Sequence, residues 1–217
     1  MSRQNQPNQQ DQPPSGSHGK PHHNLKLATM IAMFGLLLSK ISGHLREILI
    51  VPILGYGVVS DSFIIGFQIP DLFYQLLVGG AIAAAVTPSL SHALEKKEED
   101  RGWRSLSILI NYIAVALLAA VLLGELLSPQ LIALYNNSKA PEIEALAVRV
   151  SRALFPQVFF MMLAALSIGI LNAYRQFGKT SFGPTIYNIS FVLAMVLLGS
   201  KSDVGAVRVA AGVMGAA

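Results

Sequence analysis

Apolar runs of about 20 residues, separated by short polar clusters, recur along this chain from Leu25 onward, and that is the length a helix needs to cross hydrocarbon. Strand signals such as period-2 alternation are weak. The expected fold is therefore all-α, a polytopic transmembrane helix bundle with about six helices present. Composition agrees: 53% of residues are hydrophobic, 13% are charged and the mean hydropathy is +0.52, against about 25% charged in an ordinary soluble domain.

Residues Met1 to Asn24 are rich in Gln, Asn, Pro, Ser, Gly and His and cannot bury enough apolar surface to repay chain ordering. They read as a disordered polar tail. The tail has no small-residue cleavage site and precedes a long apolar segment, unlike a signal peptide. His18, His22 and His23 have no acidic or Cys companions, so a solvated tail is favoured over a metal site and no metal is expected. With no cysteine in the chain, disulfides and thiolate chemistry are excluded. The net charge of +4 is scattered among the apolar runs, with no basic stripe carrying interleaved aromatics, so nucleic acid is discounted as a partner.

The segments read as helices over about 25–54, 62–92, 103–127, 145–174, 182–198 and 204–217. Gly55-Tyr56-Gly57 is a turn, Glu95 to Arg101 a charged loop, and Ser128 to Pro141 a longer loop. The last segment stops at Ala217, short of a full span, so the expectation is one part, residues 25–217, of a longer protein. With the N-terminus in the cytoplasm, Arg3, Lys20, Lys26, Lys96, Lys97, Arg101, Arg104, Arg175 and Lys179 lie inside. Lys139, Arg149, Arg152, Lys201 and Arg208 lie outside, a bias in keeping with the positive-inside rule.

The most informative stretch is Ser39-Lys40-Ile41-Ser42-Gly43-His44-Leu45-Arg46-Glu47, inside one apolar run. Each charge at a helix centre costs about 2.5–3.5 kcal/mol on an insertion scale, so Lys40, Arg46 and Glu47 together must face protein, water or a ligand. On helical spacing Lys40, His44 and Glu47 share one face, and Ser39, Ser42 and Arg46 an adjacent one. The bland reading is a set of ion pairs that fix helix packing. The functional reading is a polar cavity for an anion, with Arg46 gripping a phosphate through two parallel hydrogen bonds and Lys40 adding a mobile charge.

Asp61 stands at the start of the second segment, where a carboxylate caps free N–H groups or acts in gating. Pro70-Asp71 and Gly79-Gly80 predict that this segment bends or unwinds, and Gly43 is a further candidate break in the first. Broken helices in membranes line cavities. Asn172, Thr185 and Asn188 read as interhelical hydrogen-bonding residues, with Phe155-Pro156 and Gly183-Pro184 as kinks. No nucleophile triad, phosphate-cradling glycine loop or metal-ligand pair appears, so the chain is not expected to be an enzyme.

Ser39-Lys40, Gly43, Arg46-Glu47, Leu54-Gly55-Tyr56-Gly57, Asp61-Ser62-Phe63, Phe67 and Pro70-Asp71-Leu72 together resemble the N-terminal signature of the MurJ/MviN lipid II flippases. A second block, Ile170-Leu171-Asn172-Ala173-Tyr174, Phe177, Phe182, Pro184-Thr185 and Asn188-Ile189, is similar to that family's junction of fourth and fifth helices. The resemblance implies one lobe of a two-lobed flippase of the multidrug/oligosaccharidyl-lipid/polysaccharide superfamily, in the bacterial inner membrane. By alternating access it would move an undecaprenyl-pyrophosphate-linked peptidoglycan precursor to the outer leaflet. Lys40 stands where the family usually has arginine, while Arg46 and Asp61 match its charged positions; these, with Ser39 and Glu47, are the expected substrate-binding residues. Where the family commonly carries basic residues after a Pro-Asn step and an acidic residue before the next glycine, this chain has Tyr74, Gln75 and Gly79, and Asp71 replaces the Asn.

The implied partners are a polyprenyl-pyrophosphate-linked lipid and the surrounding membrane lipids. No cofactor is implied, because the membrane potential, worth about 2.3 kcal/mol per charge per 100 mV, or a monovalent ion would reset the carrier. Three alternatives remain open from the residues: a flippase for another polyprenyl-linked glycan, a cation-coupled drug or metabolite antiporter using Glu47, and a membrane scaffold without transport.

Overall fold

The computed structural model describes residues 21–77, 83–135, 140–174 and 176–215, and every regular element among them is helical. Helix α1 (Pro21–Leu54) begins at a proline, whose missing N–H costs nothing in a first turn. Residues 21–24, expected in the tail, therefore belong to a helix. Gly55 and Gly57, at φ +89° and +90°, reverse the chain into α2 (Val58–Leu77). After residues 78–82, which lie outside the described residues, α3 (Ala83–Glu95) runs to the turn at Lys96 to Glu98.

Helix α4 (Glu99–Tyr135) corrects the expected boundaries at both ends. Its first turn is acidic, with Glu99 and Asp100 answering the positive end of the helix dipole. Its last two turns take up residues read as loop. Pro129 has no N–H to give the carbonyl of Glu125, but Arg152 Nε of the neighbouring helix donates to that oxygen at 3.3 Å, so the helix continues. Ser128 and Ile132 are fully buried there.

Helix α5 (Pro141–Ala173) likewise opens on a proline followed by Glu142 and Glu144. It is the spine of the molecule, packing against α2, α4, α3 and the C-terminal helix α8. The short loop expected before the next span contains a single turn, α6 (Phe177–Thr180). Helix α7 (Gly183–Leu198) lies along α1, and α8 (Asp203–Met214) is capped by Ser202, whose hydroxyl accepts from the Gly205 N–H. Pro184, expected to kink a helix, instead starts α7.

Two apolar cores result. One gathers Leu90, Leu106, Leu117, Phe155 and Met162 from α3, α4 and α5. The other gathers Leu54, Phe63, Leu154, Phe191, Met195 and Val209 from α1, α2, α5, α7 and α8. Gly66 is where α2 and α5 approach most intimately: a β-carbon there would lie 2.7 Å from the Ala147 carbonyl oxygen.

The outer faces are as greasy as the cores. Met30, Met33, Phe34 and Leu37 on α1, Val115, Leu118, Leu122 and Leu126 on α4, and Ile186, Ile189, Leu193 and Leu197 on α7 are all exposed. Helices α4 and α5 are long and apolar enough to cross a bilayer. At 37 and 33 residues they extend about 50 Å or more, beyond the roughly 30 Å of hydrocarbon. Apolar surface this continuous is covered by lipid, so the chain is a membrane-embedded helix bundle.

Candidate functional site

The polar stretch of α1 faces an open cavity of about 360 Å³ lined by Ser39, Lys40, Gly43, His44, Arg46, Glu47 and Asn188. Helical spacing brings the first six together, one and two turns apart on one side of α1. Asn188 comes from α7, which packs alongside.

Arg46 is the most ordered of the charges. Its guanidinium carbon lies 5.0 Å from the ring centres of both Phe67 on α2 and Phe191 on α7, and its side chain is only 16% exposed. Cation–π contact with a desolvated guanidinium is worth up to about 2 kcal/mol per ring. The rings are themselves braced edge to face, Phe191 meeting Phe63, Phe67 and Tyr187. Arg46 Nη1 donates to Asn188 Oδ1 at 3.4 Å, while Nη2 lies 3.8 Å from Glu47 Oε1. That second distance is too long for a hydrogen bond, so the pair is a loose electrostatic contact.

Asn188 is buried and uses both ends of its carboxamide. Its Nδ2 donates to the Ser39 carbonyl and to Ser42 Oγ, each at 3.3 Å. Ser42 in turn donates to the Ser39 carbonyl at 3.0 Å. Gly43 leaves room for this, since a β-carbon there would come within 3.3 Å of Asn188 Nδ2.

Lys40, His44 and Glu47 are exposed at the cavity, and among the described residues Lys40 forms no ion pair. The cavity therefore presents two cations against one carboxylate. Arg46 rests in the corner formed by two rings set at 80° to each other and has one nitrogen occupied, which leaves the rest of its N–H fork for an anion at the cavity.

Other expected site residues lie elsewhere. Asp61 is exposed in the first turn of α2, outside the cavity lining, and no side-chain cap bond is made by it among the described residues. Pro70 is buried inside a continuous α2, and α1 runs unbroken through Gly43, so neither breaks its helix in this conformation. Gly79 and Gly80 lie outside the described residues.

Asp71 has a local partner, accepting from Gln75 Nε2 at 2.6 Å. Gln157 of α5 donates to Tyr187 Oη of α7, a buried link between these helices. Asn172 bonds within its own corner, accepting from Thr180 Oγ1 at 3.0 Å. It borders a separate cavity of about 430 Å³ with Thr87, Ser91, Glu95 and Tyr174. Thr185, expected to bond between helices, is buried with its hydroxyl unpartnered among the described residues.

Asn188 makes the interhelical hydrogen bonds that sequence reasoning expected of it, but sequence reasoning missed its pairing with Arg46 and the aromatic corner of Phe67 and Phe191 beside it. Phe67 stands in the signature stretch and Asn188 in the second block, which was the available signal. Phe191 carries no signal of its own, being one apolar residue in an apolar helix.

Comparisons with known proteins agree with this architecture. Residues 50–216 match the model of a family described as "Lipid II flippase MurJ". The matched segment begins just after Arg46, so the α1 cavity lies mostly before it. The probable lipid II flippase MurJ of Buchnera aphidicola subsp. Acyrthosiphon pisum is 30% identical over 166 residues, 76% of this chain and 32% of the relative. The lipid II flippase MurJ of Burkholderia cenocepacia is 28% identical over 177 residues, 81% of this chain and 34% of the relative. A solved structure of lipid II flippase MurJ in an inward closed conformation superposes with a TM-score of 0.66 at 24% identity, covering 88% of this chain and 40% of that one. The chain thus spans about a third of the length of these curated relatives. With the family model matching most of its residues, the chain belongs to the lipid II flippase MurJ family.

Proposed function

We propose that this chain forms one lobe of a flippase that carries an undecaprenyl-pyrophosphate-linked peptidoglycan precursor, lipid II, from the inner to the outer leaflet of the bacterial inner membrane. The observation that carries this reading is Arg46: a guanidinium held ready on a membrane-embedded helix, beside Lys40, in a cavity open to a ligand. Charge in such a place is costly unless it has a task. A pyrophosphate suits a cation pair of this kind, since Arg46 offers a planar fork and Lys40 a movable point charge.

The lipid's pyrophosphate enters the cavity beside α1 while its polyprenyl tail stays among membrane lipids. Alternating access then turns the loaded cavity from cytoplasm to exterior, with the N-terminus of the chain on the cytoplasmic side. The membrane potential acting on the cavity's net positive charge, or a monovalent ion, resets the carrier.

The test is complementation. In a strain depleted of its own flippase, the full-length protein carrying Arg46→Ala reaches the membrane at normal levels but fails to support growth. Growth equal to that with the unaltered protein overturns the assignment.

A further inference from the structure

We propose that Asn188 is a positioning residue for Arg46: its carboxamide oxygen sets the direction in which the guanidinium faces the α1 cavity, while Phe67 and Phe191 form an aromatic corner on one side of it. The inference rests on the anion-binding reading of the cavity given above.

Three observations carry it. First, Asn188 Oδ1 is the one hydrogen-bond acceptor that Arg46 has among the described residues, at 3.4 Å across the α1–α7 interface. Second, the carboxamide cannot turn freely. Its nitrogen is committed to the Ser39 carbonyl and to Ser42 Oγ, and it packs closely on Gly43, where a β-carbon would lie 3.3 Å from Nδ2. A buried amide with its donors satisfied on one helix turn must offer its oxygen on the opposite side, towards Arg46. Third, Phe67 and Phe191 each stand 5.0 Å from the guanidinium carbon but meet each other at 80°, so they form a corner beside it that does not fix its plane. The hydrogen bond to Asn188 restricts the remaining freedom. The fork then meets an anion without first ordering itself, which improves affinity by lowering the entropy lost on binding.

Position 188 also suits neutrality. An aspartate of the same shape would hold Arg46 by charge and compete with the ligand for it. The amide fixes direction and leaves the positive charge uncancelled.

The experiment measures binding of farnesyl pyrophosphate, a short polyprenyl pyrophosphate, to the full-length protein in nanodiscs. It uses Asn188→Ala, Arg46→Ala and both together. Asn188→Ala is expected to weaken binding about tenfold, and to weaken it no further once Arg46 is alanine, because the residue acts through the guanidinium. Equal losses on both backgrounds, or no loss on either, overturn the proposal. If Asn188→Ala does not fold, the isosteric Asn188→Asp takes its place. It keeps an acceptor towards Arg46 but not the donors to the Ser39 carbonyl and Ser42 Oγ, and it is expected to lose affinity at least tenfold; unchanged affinity overturns the proposal.

A second readout needs no ligand. Modification of Arg46 by phenylglyoxal, followed on its peptide by mass spectrometry, is expected to run several-fold faster in Asn188→Ala and slower in Asn188→Asp. Equal rates in all three proteins overturn the positioning role. Failure of the unaltered protein to bind farnesyl pyrophosphate sinks the anion reading alone, and the modification rates still decide on Asn188.

Discussion

Lysine and arginine do different work at the two cationic positions of the α1 cavity. Lys40 is exposed, with no ion-pair partner among the described residues, so it acts as a compact charge on a flexible stem. Arg46 offers a plane: two rings form a corner beside its guanidinium and an amide oxygen accepts from one of its nitrogens. An ammonium group has no such plane and no second parallel donor. Arg46→Lys should therefore lower affinity for a pyrophosphate probe about tenfold or more, the equivalent of one bidentate or stacked contact at roughly 1.4 kcal/mol. Lys40→Arg should bind within about twofold of the unaltered protein. Titration of both variants checks the asymmetry, and equal behaviour at the two positions would show that only net charge matters. Sequence alone singles out these charges, because ions in an apolar run are expensive wherever they point. It does not single out their partners: Asn188 stands 142 residues from Arg46, and its pairing is created by the packing of α7 on α1.

At the scale of elements, the clearest gap between sequence and structure is the end of α4. Ser128-Pro129 reads as a helix stop, since proline removes one backbone donor and crowds the preceding turn. The cost is met from another helix, where Arg152 Nε supplies the donor that the Glu125 carbonyl lacks. No local pattern reveals a repair made by a residue in a different span. Apolar periodicity does reveal that α4 and α5 exist, because length and hydropathy are properties of each run by itself. The repair predicts a non-additive pair. Arg152→Met removes that donor and should destabilise the full-length protein by about 0.5–1.5 kcal/mol in a denaturant or thermal assay, the worth of one ordinary hydrogen bond. Pro129→Ala restores an N–H in register with Glu125, so Arg152→Met should cost markedly less on that background. Equal costs with and without Pro129 would show that Arg152 acts by its charge rather than its donor. A related constraint holds α2 on α5: Gly66→Ala pushes a β-carbon against the Ala147 carbonyl oxygen, a backbone atom that cannot move aside. It should lower the melting temperature, whereas the same change at Gly57, where nothing lies within 4 Å, should act only through its positive φ.

Over the whole molecule, α5 carries a marker of the membrane boundary at each end. Near its start Arg149 Nη2 bonds Asp203 of α8 at 2.8 Å. Just past its end Tyr174 donates to Glu99 and accepts from Trp103 Nε1 at 2.9 Å. Arg149 and Tyr174 are separated by about 37 Å of helix, more than the roughly 30 Å of hydrocarbon, so the two clusters sit in opposite interfaces. Trp and Tyr are common anchors at that level. Lys96, Lys97, Arg101 and Arg104 crowd around the Trp103 end, and on the proposed orientation, which follows the positive-inside rule, that end would face the cytoplasm. The α1–α2 turn, where Tyr56 is 90% exposed, would then face the exterior. The 217 residues contain no cysteine, which makes single-cysteine labelling of this lobe clean. With a membrane-impermeant maleimide, Tyr56→Cys should label in intact cells and Lys96→Cys only after permeabilisation. The reverse pattern would invert the lobe and place the Arg46 cavity on the other route across the membrane, with loading from outside.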